Sequence, residues 1–116
     1  TNAIGIGQSA GRTSQGNYAV AIGTAAGNVN QGAYSVAIGN QAGGSRLGQH
    51  SIAIGNNAGF TATTSTIVLN ATGAILNAAS TSSFYVKPIR RVTSIPAGFV
   101  HMYYNPTTGE IVYYQP

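Results

Sequence analysis

Over residues 2–60, branched apolar and small positions alternate in short bursts, and the bursts return every sixteen residues. The pairs Ile4/Ile6, Val20/Ile22, Val36/Ile38 and Ile52/Ile54 each flank one small residue. In Tyr34-Ser35-Val36-Ala37-Ile38-Gly39, period two places Val36 and Ile38 on one face and Ser35 and Ala37 on the other. The pattern predicts strands of about four or five residues, closed by Gly7, Gly23, Gly39 and Gly55. Glycine at such density argues against a helix. Gly11, Gly27, Gly43 and Gly59, with Gly16, Gly32 and Gly48, keep the same step. They are expected at sharp corners that need a positive φ. One coil then reads as two short strands and two turns, with successive coils stacked in parallel about 4.8 Å apart. The expected filling is Ile4, Ile6, Val20, Ile22, Val36, Ile38, Ile52 and Ile54, with Ala10, Ala26, Ala42 and Ala58. Ala19/Ala21, Ser35/Ala37 and Ser51/Ala53 are then left facing outward.

The pattern changes after Phe60. Thr66-Ile67-Val68-Leu69-Asn70 repeats Ser51-Ile52-Ala53-Ile54-Gly55 at a distance of fifteen residues, so a shortened closing coil is expected. Asn70 takes the place of the corner glycine, and Asn is the next residue able to adopt a left-handed conformation. The polar stretches Thr61–Thr66 and Ala78–Ser83 read as connections. Residues 84–116 differ in composition, holding five of the seven tyrosines, all four prolines, three of the five basic residues and the one acid. Phe84-Tyr85-Val86 predicts a strand ended by Pro88. The runs 100–104 and 110–114 flank Asn105-Pro106-Thr107-Thr108-Gly109, a hairpin signal with Gly109 at the left-handed position. The expected organisation is a repeat β-roll over 1–60, a closing coil and polar connection over 61–83, and a β-rich cap over 84–116. The fold class is all-β, a parallel β-roll or solenoid followed by a hairpin-containing cap.

Composition narrows what such a coil can do. Charged residues make up 5% of the chain, against about 25% in ordinary domains. The net charge of +4 reflects missing acids more than abundant bases, so a nucleic-acid partner is not expected. With no cysteine there is no disulfide, thiolate nucleophile or zinc-thiolate site. Glu110 is the only acidic side chain, which leaves a glycosidase without its second carboxylate. His50 and His101 have no partner acid for a triad and no cluster for a metal. Glycine motifs of the G-x-G type are not phosphate loops when no helix follows them. No enzyme activity, cofactor or metal is expected. No apolar run is long enough to span a bilayer, so no direct membrane insertion is expected. The chain opens at a strand, Thr1-Asn2-Ala3-Ile4, from which a longer parent carrying its anchor, stalk or targeting signal elsewhere is expected.

Thin coils bury little surface per residue. A small outward face with few charges admits another backbone closely, so self-association is expected to supply the missing burial. The residues also carry a resemblance. Ser35–Gly43 (SVAIGNQAG) and Ser51–Gly59 (SIAIGNNAG) resemble the YadA-like head repeats of trimeric autotransporter adhesins, across residues 2–60 and more weakly 66–76. That resemblance implies a left-handed parallel β-roll and a homotrimer; the family's neck, coiled-coil stalk and membrane barrel are not found in this sequence. Phe84–Val92 and Met102–Tyr114 resemble segments that follow such repeats in large-virus and phage fibre-like proteins, where an intramolecular chaperone often comes next. Together the two imply an extracellular appendage or virion fibre.

Two groups are candidates for ligand contact. Tyr18, Tyr34 and His50 share one position of the frame and should form a stacked column, a platform for sugar rings. Like side chains also stack in solenoids simply because the period aligns them. The adjoining column Gln15, Gln31, Leu47 is interrupted, which breaks a continuous groove. Lys87, Arg90 and Arg91 lie beside Phe84 and Tyr85, a combination that can hold phosphates or acidic glycans, or can blunt an exposed strand edge. The expected role is a structural and adhesive fibre module attaching to a host surface, with a glycan or receptor as ligand. The alternative is a purely structural spacer or assembly unit. An ice-binding solenoid would need a regular outward Thr array, which the Ala and Ser columns do not supply.

Overall fold

The computed structural model describes residues 2–108 and 110–116. The first strand of every coil joins one six-stranded parallel sheet, in the order β1 (Ile4–Ile6), β2 (Val20–Ile22), β3 (Val36–Ile38), β5 (Ile52–Ile54), β7 (Ile67–Asn70), β9 (Phe84–Lys87). Register follows the period, with Val20 paired to Val36 and Val36 to Ile52. The shortened coil fits the same ladder, because Ile52 pairs with Ile67. Phe84 then pairs with Ile67, so the first strand of the tyrosine-rich segment closes the ladder, giving a solenoid of about five coils. On the opposite wall β4 (Arg46–Leu47), β6 (Ala58–Ala62) and β8 (Leu76–Ala78) form a shorter parallel sheet. Single bridges Thr13–Val29 and Gln31–Leu47 extend that wall toward the early coils. No helix occurs among the described residues.

The two faces of the strands are exchanged relative to expectation. Ala19, Ala21, Ser35, Ala37, Ser51 and Ala53 are completely buried, whereas Ile6 is 59% and Ile54 41% exposed. The interior is built from alanine: eight of the eleven residues of the core cluster are Ala, with Leu47, Val68 and Leu76 completing it. The reason is the narrowness of the coil. A Cβ built on Gly43 would lie 3.4 Å from the Ala37 Cβ, and one on Gly27 3.2 Å from the Ala21 Cβ. Alanine faces glycine across the coil, and a branched side chain has no room between them. The Ile and Val residues therefore point outward, as two aliphatic columns running along one flat face.

Three further details differ from expectation. Gly11, Gly27, Gly43 and Gly59 do occupy corners with positive φ. Gly16, Gly32 and Gly48 do not; they are glycine because the next coil crosses directly over them. A Cβ on Gly32 would lie 2.5 Å from the Gln49 nitrogen and 2.6 Å from the Gly48 carbonyl carbon. Asn70 is not a left-handed corner either, since it ends β7 with its side chain almost fully buried. Its amide donates to the carbonyls of Asn56 (2.9 Å) and Ala74 (2.7 Å), and its Oδ1 accepts from Thr72 N (3.1 Å) and Oγ1 (2.7 Å). All four bonding positions of the amide group are used, which pins the irregular turn after the fifth strand. Finally, the Gln15/Gln31/Leu47 column lies inside the coil. Gln31 Nε2 donates to Val20 O (2.8 Å), and Gln31 Oε1 accepts from Gln15 Nε2 (3.2 Å).

Past the solenoid, β10 (Met102–Tyr104) and β11 (Ile111–Tyr113) form the expected antiparallel hairpin, with Tyr103 opposite Val112. Asn105 organises its turn, accepting at Oδ1 from Thr107 N (2.9 Å) and Thr108 N (3.2 Å). The left-handed assignment of Gly109 lies outside the described residues. The molecule measures 50 × 31 × 21 Å along its principal axes.

Candidate functional site

Tyr18, Tyr34 and His50 form the column that the period requires. Each sits at the third position of a four-residue corner opened by Gly16, Gly32 or Gly48, with φ of 60°, 59° and 55°. The first of these corners is closed by Ala19 N donating to Gly16 O (3.2 Å). Tyr18 and Tyr34 stack at a centroid distance of 5.3 Å, and Tyr34 and His50 at 5.4 Å, both tilted by 16°. An aromatic residue in the left-handed region is uncommon and invites a functional explanation. Here the fold supplies one, because Asn2, Ser65 and Ser82 occupy the same corner with the same sign of φ. The conformation belongs to the corner and not to the rings.

Stacking also limits what the column can hold. Tyr34 has a ring stacked on each side, although more than half of its surface stays exposed, and each end ring has a stacked neighbour on one side only. Tyr18 looks toward Asn2 and His50 toward Ser65, which carry no ring. The outside therefore meets ring edges and hydroxyls, a surface suited to hydrogen bonding and poorly suited to stacking successive sugar rings.

The second candidate group lies elsewhere. Lys87 ends β9, and Arg90 and Arg91 follow it, all three exposed. The Arg90 guanidinium sits over the Phe99 ring, 5.7 Å from its centroid, a cation–π contact that fixes one of the three charges. Ser82, which continues the corner column, precedes β9, whereas Lys87 ends it. The two groups thus flank opposite ends of a strand and do not share a pocket. Inside that strand Tyr85 packs against the core, and its hydroxyl accepts from Ser80 N at 3.2 Å. Hydrogen bonding to Ser80 lowers its phenol from the ordinary value.

The Ile and Val columns expected in the interior form a third candidate surface. Ile4, Val20, Val36, Ile52, Ile67 and Phe84 form one outward column; Ile6, Ile22, Ile38, Ile54, Leu69 and Val86 form the next. Six rungs at strand spacing rise through about 24 Å without a charged side chain on either column. The signal was present in the sequence as alanine and glycine at the facing positions, which let the two walls approach too closely for Ile.

No group of three or more His, Cys, Asp or Glu side chains is placed to hold a metal among the described residues. No helix among them is long and apolar enough to cross a membrane. Comparison with known family models, characterised proteins and solved structures returns no match to this chain.

Proposed function

We propose that this chain is the structural and adhesive module of a homotrimeric extracellular or virion fibre, presenting a rigid surface for attachment to a host cell. The observation that carries the proposal is the outward Ile/Val ladder. A regular aliphatic face of this height, flat and uncharged, is an association surface that water covers at a cost. Three copies turned about the long axis bury it, and the in-register coils keep every rung aligned with its equivalents. The resemblance of the repeats to trimeric adhesin heads supports the threefold number and the surface location. Light scattering tests the assembly: three times the 11.8 kDa mass is expected, and Ile22→Lys with Ile54→Lys should return it to one. A parent chain that stays monomeric at high concentration overturns the trimer.

The attachment part rests on Tyr18, Tyr34, His50, Lys87, Arg90 and Arg91, with surface glycans as the ligand class. The mutual covering of the three rings favours a second reading, a purely structural fibre unit with no ligand of its own. A glycan-array and cell-binding comparison of the parent with the triple variant Tyr18→Ala, Tyr34→Ala, His50→Ala separates them. Binding lost in the variant supports adhesion through the column. Binding that survives unaltered makes the column a ladder only.

A further inference from the structure

The hairpin leaves most of its large side chains uncovered. Met102 is 73% exposed, and Tyr104, Ile111 and Tyr113 are each more than half exposed. Met102 pairs with Tyr113 and Tyr104 with Ile111, so these four share one face, and Tyr103 with Val112 form the other. Tyr103 lines a hollow with Val92, Phe99 and Val100 of the preceding segment. The Met102 side faces a wider cleft of about 940 Å³, whose far wall is Ile67, Leu69 and Phe84 of the last coils. A hairpin with strands of three residues is marginal unless one of its faces is covered. The cleft is open to solvent and lined also by Ser65, Ser82 and Ser83, so the apolar side chains on both of its walls are left without a cover.

The identity of the missing cover is indicated by continuity and by charge. Ile67, Leu69 and Phe84 are the last rungs of the same aliphatic ladder through which copies of the chain are proposed to associate, so the cleft opens onto that face. Glu110, the only acidic side chain of the protein, immediately precedes the second hairpin strand. Lys87, Arg90 and Arg91 cluster at the rim where β9 ends. No ion pair links the acid to these bases within the chain, among the described residues.

We infer that the hairpin is an intersubunit clasp: the hairpin of one copy enters the cleft of the next, with Met102 and Tyr104 against Ile67, Leu69 and Phe84. Glu110 then meets the basic rim of the receiving copy. The contact is head to tail, since the donor surface (hairpin) differs from the acceptor surface (last coils), and such contacts close into a ring where the rotation between copies returns to the start. Three of them close a trimer and lock its end. The inference rests on the self-association proposed above and adds the element that exchanges.

Because the chain has no cysteine, introduced thiols report without background. Chains carrying only Lys87→Cys are mixed and co-refolded with chains carrying only Glu110→Cys, then treated with a short bifunctional maleimide. Light scattering of the parent accompanies the experiment. A threefold mass together with a Lys87→Cys/Glu110→Cys cross-linked pair, several-fold above the yield from either variant alone, supports the clasp. A threefold mass without that pair overturns the clasp and leaves the association intact. A monomeric parent overturns both.

Discussion

Replacing Ala37 by Leu asks directly which face of the strand is inside. Ala37 has none of its surface exposed. In the ladder it lies between Ala21 and Ala53, and a Cβ on Gly43 across the coil would already sit 3.4 Å from its own. Three added carbons must displace backbone on one side or neighbouring coils on the other. Overpacking costs about 1–3 kcal/mol where a core can yield. With backbone as the obstacle the upper figure, about 3 kcal/mol, applies. Unfolding entropy of about 2.1 cal/mol/K per residue, over 116 residues, gives about 240 cal/mol/K. The expected fall in Tm is therefore about 12 °C for a single cooperative transition. Ile38→Ala is the paired control. Its side chain is already 36% exposed, so its loss from an unassociated chain is about 1 kcal/mol, or about 4 °C. Both variants are melted by circular dichroism at one low protein concentration, because association raises Tm with concentration. If Ala37→Leu melts with the parent while Ile38→Ala loses ten degrees or more, the assignment of faces is wrong.

Gly32→Ala should cost about 3 kcal/mol or more through collision with the next coil, whereas Gly73→Ala, whose Cβ meets nothing within 4 Å, should be neutral or gain a few tenths; chemical denaturation of both checks it. Asn70→Gly restores the residue of the repeat but removes a buried amide with four hydrogen bonds. It should destabilise by about 2–3 kcal/mol, and a stabilised variant would return Asn70 to the role of a corner residue. Gln31→Glu places a carboxyl where only 2% of the residue is exposed, facing the Val20 carbonyl. Burial raises its pKa, so the protonated form, which can still donate to Val20, holds the fold at low pH. Stability should then fall as pH rises from about 4.3, the unfolded value, through the raised folded value. The parent should not show this fall, and a flat difference between the two across pH would refute the buried position of Gln31.

Much of the coil was legible from residue spacing alone. The sixteen-residue step gave the strands and their parallel register, and the fifteen-residue step gave the pairing of Ile52 with Ile67. The same arithmetic placed Tyr18, Tyr34 and His50 in a stack. Asn105-Pro106 and the flanking apolar runs were enough for the hairpin. The roles of Gly16, Gly32 and Gly48 were harder to see. A glycine that supplies a left-handed turn and one that clears a path for the next coil look identical in a sequence, and only the crossing geometry separates them. Asn70 was obscured in a similar way, by its place in the frame. Its partners Asn56, Thr72 and Ala74 come together where the fifteen-residue step from Ile52 to Ile67 gives way to a longer one, from Ile67 to Phe84.

The inversion of the strand faces has a different origin. Period two divides a strand into two faces but is symmetric between them, and hydrophobicity breaks the tie only when one face must meet water. Here neither does so comfortably, since Ile and Val alternate with Ala and Ser and no charge sits on either face. What decides the outcome is the width of the coil, set by the opposite wall. Gly27, Gly43 and Gly59 form that wall beside Ala26, Ala42 and Ala58, and their lack of side chains lets the two walls approach until only Ala fits opposite them, at Ala21, Ala37 and Ala53. Gln31 is the confirming case, because a buried amide needs carbonyls within reach, and a narrow coil brings the Val20 carbonyl to 2.8 Å. A wide, Ile-filled coil would strand that amide in hydrocarbon. The narrow coil satisfies it and turns the two Ile/Val columns outward, so the burial that the coil cannot provide within itself has to come from a neighbouring chain.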